Sequence, residues 1–253
     1  MGLQWGRGMS SSRLTHFPEK ITGTSDGGIK MKSTLKAMKY SLKLLNRPLT
    51  YGLLALGLLF TFSSFFFMVI DINEYNSDSY TFNLWFNPML WVWMMMSYVN
   101  ERIGNCKYNY SVNFARKLYT VVPAIYSFFA ITLLFGIVVC IAAVKLGSEY
   151  ITAKYIMISV GITFLGVASS VSGKRKTDAI VPYILGFLII MAMCFLSDRI
   201  PEIAIPASVV IVLSFIIIAA GFVISCWYLN YLWDKGVRFV KQKYGFERTF
   251  GGL

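Results

Sequence analysis

Histidine occurs once in this sequence, at His16, and acidic side chains are few, twelve against twenty-four lysines and arginines in 253 residues. Each shortage excludes something. A catalytic or metal site inside a membrane needs acids, bases or ligands at depth, where one charge costs about 2.5–3.5 kcal/mol on insertion scales. Here every acidic residue falls in a tail, in a connector or at the end of an apolar run. No HExxH, no paired acidic motif and no serine with a histidine partner in an apolar run can be assembled. There is no GxxxxGK[ST] phosphate loop, which excludes ATP hydrolysis of the P-loop kind by this chain alone. The four cysteines, Cys106, Cys140, Cys194 and Cys226, lack CxxC spacing, and three of them lie in apolar runs. They indicate neither a zinc knuckle nor a disulfide framework. No catalytic residue, metal or cofactor is implied.

What is abundant is hydrocarbon. Hydrophobic residues make up 56% of the chain and charged residues 14%, with a mean hydropathy of +0.59. An ordinary soluble domain is nearer one-quarter charged, so the solvent for most of this chain is a bilayer. A spanning helix needs about 20 mostly apolar residues, and six stretches qualify: 49–70, 80–99, 119–145, 151–172, 179–197 and 204–233. Six crossings leave both ends of the chain on one side.

The basic residues say which side. Nine lie in the N-terminal tail, four in the second connector, three in the fourth and five in the C-terminal tail, leaving only three for the other connectors and their flanks. That asymmetry puts both tails in the cytoplasm. Asp71, Glu74 and Asp78 agree, since they fall in a first outside connector that carries no base. Trp227, Tyr228, Tyr231 and Trp233 gather where the sixth span meets the inner boundary, at headgroup depth. That span is long for one crossing and is expected to tilt or project. Lys145 and Lys154 sit at the outer boundary, where their stems can snorkel. Because the net charge of +12 lies along membrane edges and is not interleaved with aromatics on a soluble face, nucleic acid is not an expected partner.

The expected architecture is therefore all-α and polytopic. Residues 1–30, polar and rich in Gly and Ser, are expected to be a disordered tail, an expression tag or an over-extended gene start, with a targeting role as the alternative. Met1, Met9 and Met31 are the candidate starts. Residues 31–47 form an amphipathic helix, 48–233 the six-helix membrane domain and 234–253 a basic cytoplasmic tail. Lys32, Lys36, Lys39 and Lys43 recur at intervals of four, three and four, which holds them in a narrow helical arc, with Leu35, Met38, Leu42 and Leu45 on a neighbouring one. Such a helix lies on an anionic inner leaflet, each lysine contributing on the order of 1 kcal/mol; a plain positively charged flank is the other reading. Pro48 disfavours helical geometry at the preceding residue and supplies a bend into the first span.

Polar residues within the spans are Thr61, Ser63, Ser64, Asn83, Asn87, Ser127, Thr132, Ser159, Thr163, Ser169 and Ser170. Small hydroxyl side chains let membrane helices approach and hydrogen-bond one another. The functional alternative makes Asn83, Asn87, Ser127, Thr132, Ser159 and Thr163, beside the kink-prone Pro88, the lining of a polar path. The second connector, NERIGNCKYNYSVNFARKLY, is the longest inside one, with mixed charge at Glu101, Arg102, Lys107, Arg116 and Lys117 and a glycine break at Gly104. It is long enough for one or two short helices below the membrane, suited to docking a soluble partner. Pro201 and Pro206 mark a turn before the sixth span.

In the order of these parts the chain resembles the permease subunit of ABC-2 type ABC exporters. The likeness covers 31 to about 240: an elbow-like helix STLKAMKYSLKLLNRP, six spans, a long second connector, the shorter basic SGKRKTD and the proline-marked outer turn. It is a match of layout. In such permeases the coupling connector often opens with an acidic residue, then glycine, then a serine and a basic cluster, and Glu101, Gly104, Ser111, Arg116 and Lys117 are similar. The proline often found near that serine is missing, which leaves the register of a coupling helix open. The resemblance implies a separate nucleotide-binding subunit docked here, a second permease copy or a paralogue, and export of peptide, drug or lipid. The membrane subunit of a vitamin importer, a channel or scaffold, and an intramembrane enzyme are the competing classes. Importer subunits usually lack the elbow and the long connector, and the enzyme reading meets no deep acid or histidine.

Overall fold

Residues 27–46, 48–70, 77–105, 112–145, 147–148, 151–173, 176–195 and 205–235 are described in the computed structural model of the chain. They form seven α-helices: α1 (Gly27–Leu45), α2 (Pro48–Ile70), α3 (Ser77–Asn105), α4 (Ala115–Lys145), α5 (Lys154–Ser172), α6 (Lys176–Phe195) and α7 (Ala207–Asp234). No strand occurs among the described residues. The helices fall on the amphipathic segment and the six apolar stretches of the sequence. Residues 1–26, most of the C-terminal tail, and the connecting segments 71–76, 106–111 and 196–204 lie outside the described residues.

Among the described residues three helices, α4, α5 and α7, are long and apolar enough to cross a membrane. The pair Met31–Leu45 and Thr50–Ser63, bent by 94°, would make a fourth crossing if counted as one broken span. At 1.5 Å per residue, α5 is about 28 Å long and matches a hydrocarbon core of about 30 Å, whereas α4 and α7 exceed 40 Å and must tilt or project. The apolar run of α3 is diluted by Asp78, Asn83, Asn87, Ser97 and Asn100.

α5 is the central helix. It packs against α3, α4, α6 and α7; Tyr155, Ile158, Ile162 and Leu165 are buried there, and glycines stand at the closest approaches. A Cβ built on Gly186 of α6 would lie 2.7 Å from the Gly161 carbonyl of α5, so the two backbones touch there. Gly221 of α7 admits the methyl group of Thr163 in the same way, and Gly166 faces Phe128 and Ile131 of α4. Without a hydrophobic drive between helices in lipid, such close approach is how they hold together. The hydroxyls of α5 turn back to their own helix: Ser159 donates to the Ile156 carbonyl at 2.6 Å, Thr163 to Ser159 at 2.7 Å and Ser170 to Val167 at 2.8 Å. Their hydrogen-bonding need is met without a neighbour.

α4 and α7 are joined by edge-on aromatic pairs, Phe128 with Phe222 and Phe135 with Phe215. α2 is peripheral, packing on α3 and exposing Leu58, Leu59, Phe62 and Phe66. Pro48 opens it, where a missing N–H leaves no helical bond unmade.

In the second connector the glycine break expected at Gly104 is absent, since α3 continues through Gly104 to Asn105, and α4 begins at Ala115; the short helices expected there fall on a segment of which 106–111 lie outside the described residues. Gly104 does not break the helix because its bare Cα is where α3 meets α5.

Candidate functional site

One end of the bundle gathers the helix termini that carry the candidate residues. The C-terminal ends of α3, α5 and α7 meet the N-terminal ends of α4 and α6 there, and α1 lies across them. A Cβ on Gly104 would strike the carbonyl of Gly173, just past α5, and one on Gly173 would strike the carbonyl of Asn100. Arg116 at the start of α4 pairs with Asp234 at the end of α7 at 3.1 Å and donates from Nε to the Asn230 side chain at 3.1 Å. Tyr228 of α7 donates to Asp178, in the first turn of α6, at 2.6 Å. Trp233 stacks on Tyr119 with ring centroids 5.8 Å apart.

Just inside this end sits a polar node. Asn100, 1% exposed, donates to the Ser127 hydroxyl of α4 at 2.9 Å and to the Ser169 carbonyl of α5 at 2.8 Å. That carbonyl also accepts from Ser172 at 2.8 Å, filling both lone pairs. Three helices are tied at one side chain. The Asn100 carbonyl oxygen is buried without a partner among the described residues.

α1 divides into three sectors. Ala37 and Ser41 are fully buried, with Met38 and Leu45 packed beside them on Val99, Ile103, Leu118, Tyr119 and Val122. The Ser41 and Tyr126 hydroxyls lie 2.6 Å apart, and Ser41 donates to the Met38 carbonyl. Met31, Leu35 and Leu42 form a separate exposed ridge. By the 3.6-residue period, that ridge lies between the packed sector and the arc of Lys32, Lys36, Lys39 and Lys43, all of them exposed. The apolar arc expected from the sequence is thus split: Met38 and Leu45 face the bundle, Leu35 and Leu42 face outward.

Of the connector residues, Glu101 and Arg102 are half-buried at the end of α3. The Arg102 Nε donates to the Tyr98 hydroxyl at 3.0 Å, with its guanidinium 5.6 Å from that ring. Lys117 is half-buried beside exposed Arg116. Lys107 and Ser111 lie outside the described residues, as do the side chains of Asn83 and Asn87. Ser127 and Ser159 are fully buried within the single chain, and Thr132 and Thr163 are half-buried with hydroxyls bonded to Phe128 and Ser159. Among the described residues no group of three His, Cys, Asp or Glu comes together.

Sequence reasoning missed Asn100, which lies at the boundary between the apolar run and the connector, and Gly173. The available signal for Asn100 was its polarity beside an apolar run.

The chain matches no known family model, no curated protein and no solved structure. What the fold defines is a class: a protein helical throughout its described residues, with several helices long and apolar enough to suit a membrane.

Proposed function

We propose that the chain is the membrane-embedded permease subunit of an ATP-driven exporter of the ABC-2 type, crossing the bilayer six times with both ends in the cytoplasm. It supplies the path and no catalysis, working as a pair with a second copy or a paralogue and driven by a separate nucleotide-binding subunit. The observation that carries this reading is the right-angled α1 lying across the bundle end that also bears Glu101, Arg102, Arg116 and Lys117. A helix in the membrane plane, basic on one arc and apolar on the next, anchors to anionic lipid.

The same end gives a mechanical route. A push on the α3–α4 connection would act on α3 and α4 together through Asn100 and Ser127. It would reach α5 through the Ser169 carbonyl and the contact of Gly104 with Gly173. Because α5 touches four neighbours, its displacement moves the whole bundle as a body, which is what alternating exposure of a path requires.

The test is co-expression with a candidate ATPase subunit followed by co-purification. Reversing Glu101 to lysine, and Arg116 with Lys117 to glutamate, is expected to lose the complex while membrane insertion is retained. A complex that survives both changes ends the coupling assignment. A reporter fused near Tyr108 should read as cytoplasmic, and an exterior reading removes the topology.

A further inference from the structure

α2 and α3 run antiparallel: Met95 packs over Gly57, and Phe60 stacks on Trp91 with ring centroids 4.6 Å apart. On the α1 side of these contacts a groove of about 520 Å³ opens between the two helices, walled by Leu53, Leu54 and Leu56 of α2 and by Met94 and Met95 of α3. Its size is within the roughly 300–1,000 Å³ of small-molecule sites. Leu56 and Met94 are exposed, so the groove opens sideways, toward the lipid that would surround the bundle.

Two polar groups interrupt this wall. Trp93 and Ser97 both line the groove, one helical turn apart on the same face of α3, a rise of about 6 Å. The indole N–H of Trp93 and the hydroxyl of Ser97 are buried without a hydrogen-bond partner among the described residues. An indole N–H can only donate, and a hydroxyl has one hydrogen to give. A buried donor left unpaired is costly, so this wall suits a ligand that brings two acceptors and asks for no acceptor in return. Depth narrows the class. Ser97 lies about 6 Å inside Glu101, the first charged residue after the apolar run of α3. The headgroup zone of a bilayer is roughly 5–8 Å thick on each side, the difference between a hydrocarbon core of about 30 Å and about 40–45 Å in all. With Glu101 among the headgroups, Ser97 stands at the edge of the hydrocarbon and Trp93 one turn deeper, the depth range of acyl ester carbonyls.

We infer that this groove holds a diester phospholipid of the leaflet on which α1 lies, with one acyl chain along Leu53, Leu54, Leu56 and Met95 and its ester carbonyls accepting from Ser97 and Trp93. The site rests on the membrane-embedded part of the reading above and needs neither the ATPase nor a second copy. An ether lipid of the same shape and headgroup lacks the paired carbonyls and fits the groove without answering its donors. Glu101 borders the groove but is already engaged within the structure, and headgroup charge plays no part in the choice.

The experiment uses the full chain in nanodiscs of dialkyl ether phosphatidylcholine, a bilayer without ester carbonyls. Two probes carry a photoreactive diazirine on one chain: a diester phosphatidylcholine and its diether counterpart of the same length. Saturable labelling by the diester is expected on peptides containing 53–56 or 91–98, reaching half-saturation at a roughly tenfold lower mole fraction than the diether. Trp93→Phe or Ser97→Ala should each cut that preference to about threefold, and the double variant should erase it while both probes still label the same peptides. Leu54→Trp fills the groove from α2, leaves both donors in place and should abolish labelling in a monodisperse protein. Labelling elsewhere, equal saturation by the two probes, a preference that survives the double variant, or labelling that survives Leu54→Trp overturns the site. Alkaline carbonate extraction of the expression membranes separates the two failures: a chain that washes off removes the membrane reading itself, whereas one that stays inserted without an ester preference removes this site alone.

Discussion

Asn100 of α3 donates to the Ser127 hydroxyl of α4 at 2.9 Å while its other amide hydrogen reaches the Ser169 carbonyl of α5 at 2.8 Å. Hydrogen bonds between membrane helices average about 0.6 kcal/mol in double-mutant cycles, with a maximum near 1.7. Asn100→Ala should therefore destabilise the chain by about 1–2 kcal/mol, since two bonds are lost. In a cycle with Ser127→Ala the coupling should fall near 0.6 kcal/mol. Unfolding in mixed micelles measures both, and a coupling of zero would mean the node is geometry without energy.

Four residues on from that node, Gly104 abuts Gly173 with no room for a methyl group on either side. Gly173→Ala must push the α3 and α5 ends apart, with an overpacking cost of about 1–3 kcal/mol. Gly136 of α4 is the control, because a Cβ there meets nothing within 4 Å. Gly136→Ala should be neutral or mildly stabilising through helix propensity. Comparing thermal midpoints of the two variants in one detergent tests the contrast, and equal midpoints would refute the close contact.

The positions of the helices were legible in the sequence because apolar runs of membrane length leave little choice, and Pro48 marked the turn between α1 and α2. Which side of α1 meets the bundle was not legible. Ala37 and Ser41, the residues that pack deepest, carry little hydrophobicity, and small size counts for more than greasiness where helices touch in lipid. A glycine such as Gly104 reads as a break in a sequence and serves as a contact in a structure. Asn100 was hidden for another reason: dividing the chain into a span ending at 99 and a connector beginning at 100 cut one continuous helix, α3, in two.

Arg116 and Asp234 bridge the start of α4 and the end of α7 at 3.1 Å, with side chains 54% and 59% exposed. A pair this wet contributes no more than about 1 kcal/mol. Asp234→Asn should leave stability within about 0.5 kcal/mol and leave ATPase co-purification intact. Reversal of Arg116 together with Lys117 should abolish co-purification. If Asp234→Asn alone releases the ATPase, Arg116 acts by clasping α7 and does not itself meet the partner.

The three sectors of α1 make separable demands, and the lysine arc can be changed without touching what the bundle holds. Each lysine near an anionic surface contributes on the order of 1 kcal/mol, so converting Lys32, Lys36, Lys39 and Lys43 to glutamate turns a favourable contribution of several kcal/mol into a repulsion. Phosphatidylglycerol retained through purification, read by native mass spectrometry, should fall sharply. Leu35→Ser with Leu42→Ser removes the exposed ridge and should weaken lipid retention less, because two side chains contribute about 1.5–3 kcal/mol each only when fully buried and a ridge dips partway. Ala37→Leu acts on the third sector: it forces a larger side chain against Ile103 and Leu118, should lower thermal stability, and should leave lipid charge preference unchanged. Full lipid retention after the four charge reversals would reduce α1 to a strut packed on α4, with its lysines serving orientation during insertion and nothing afterwards.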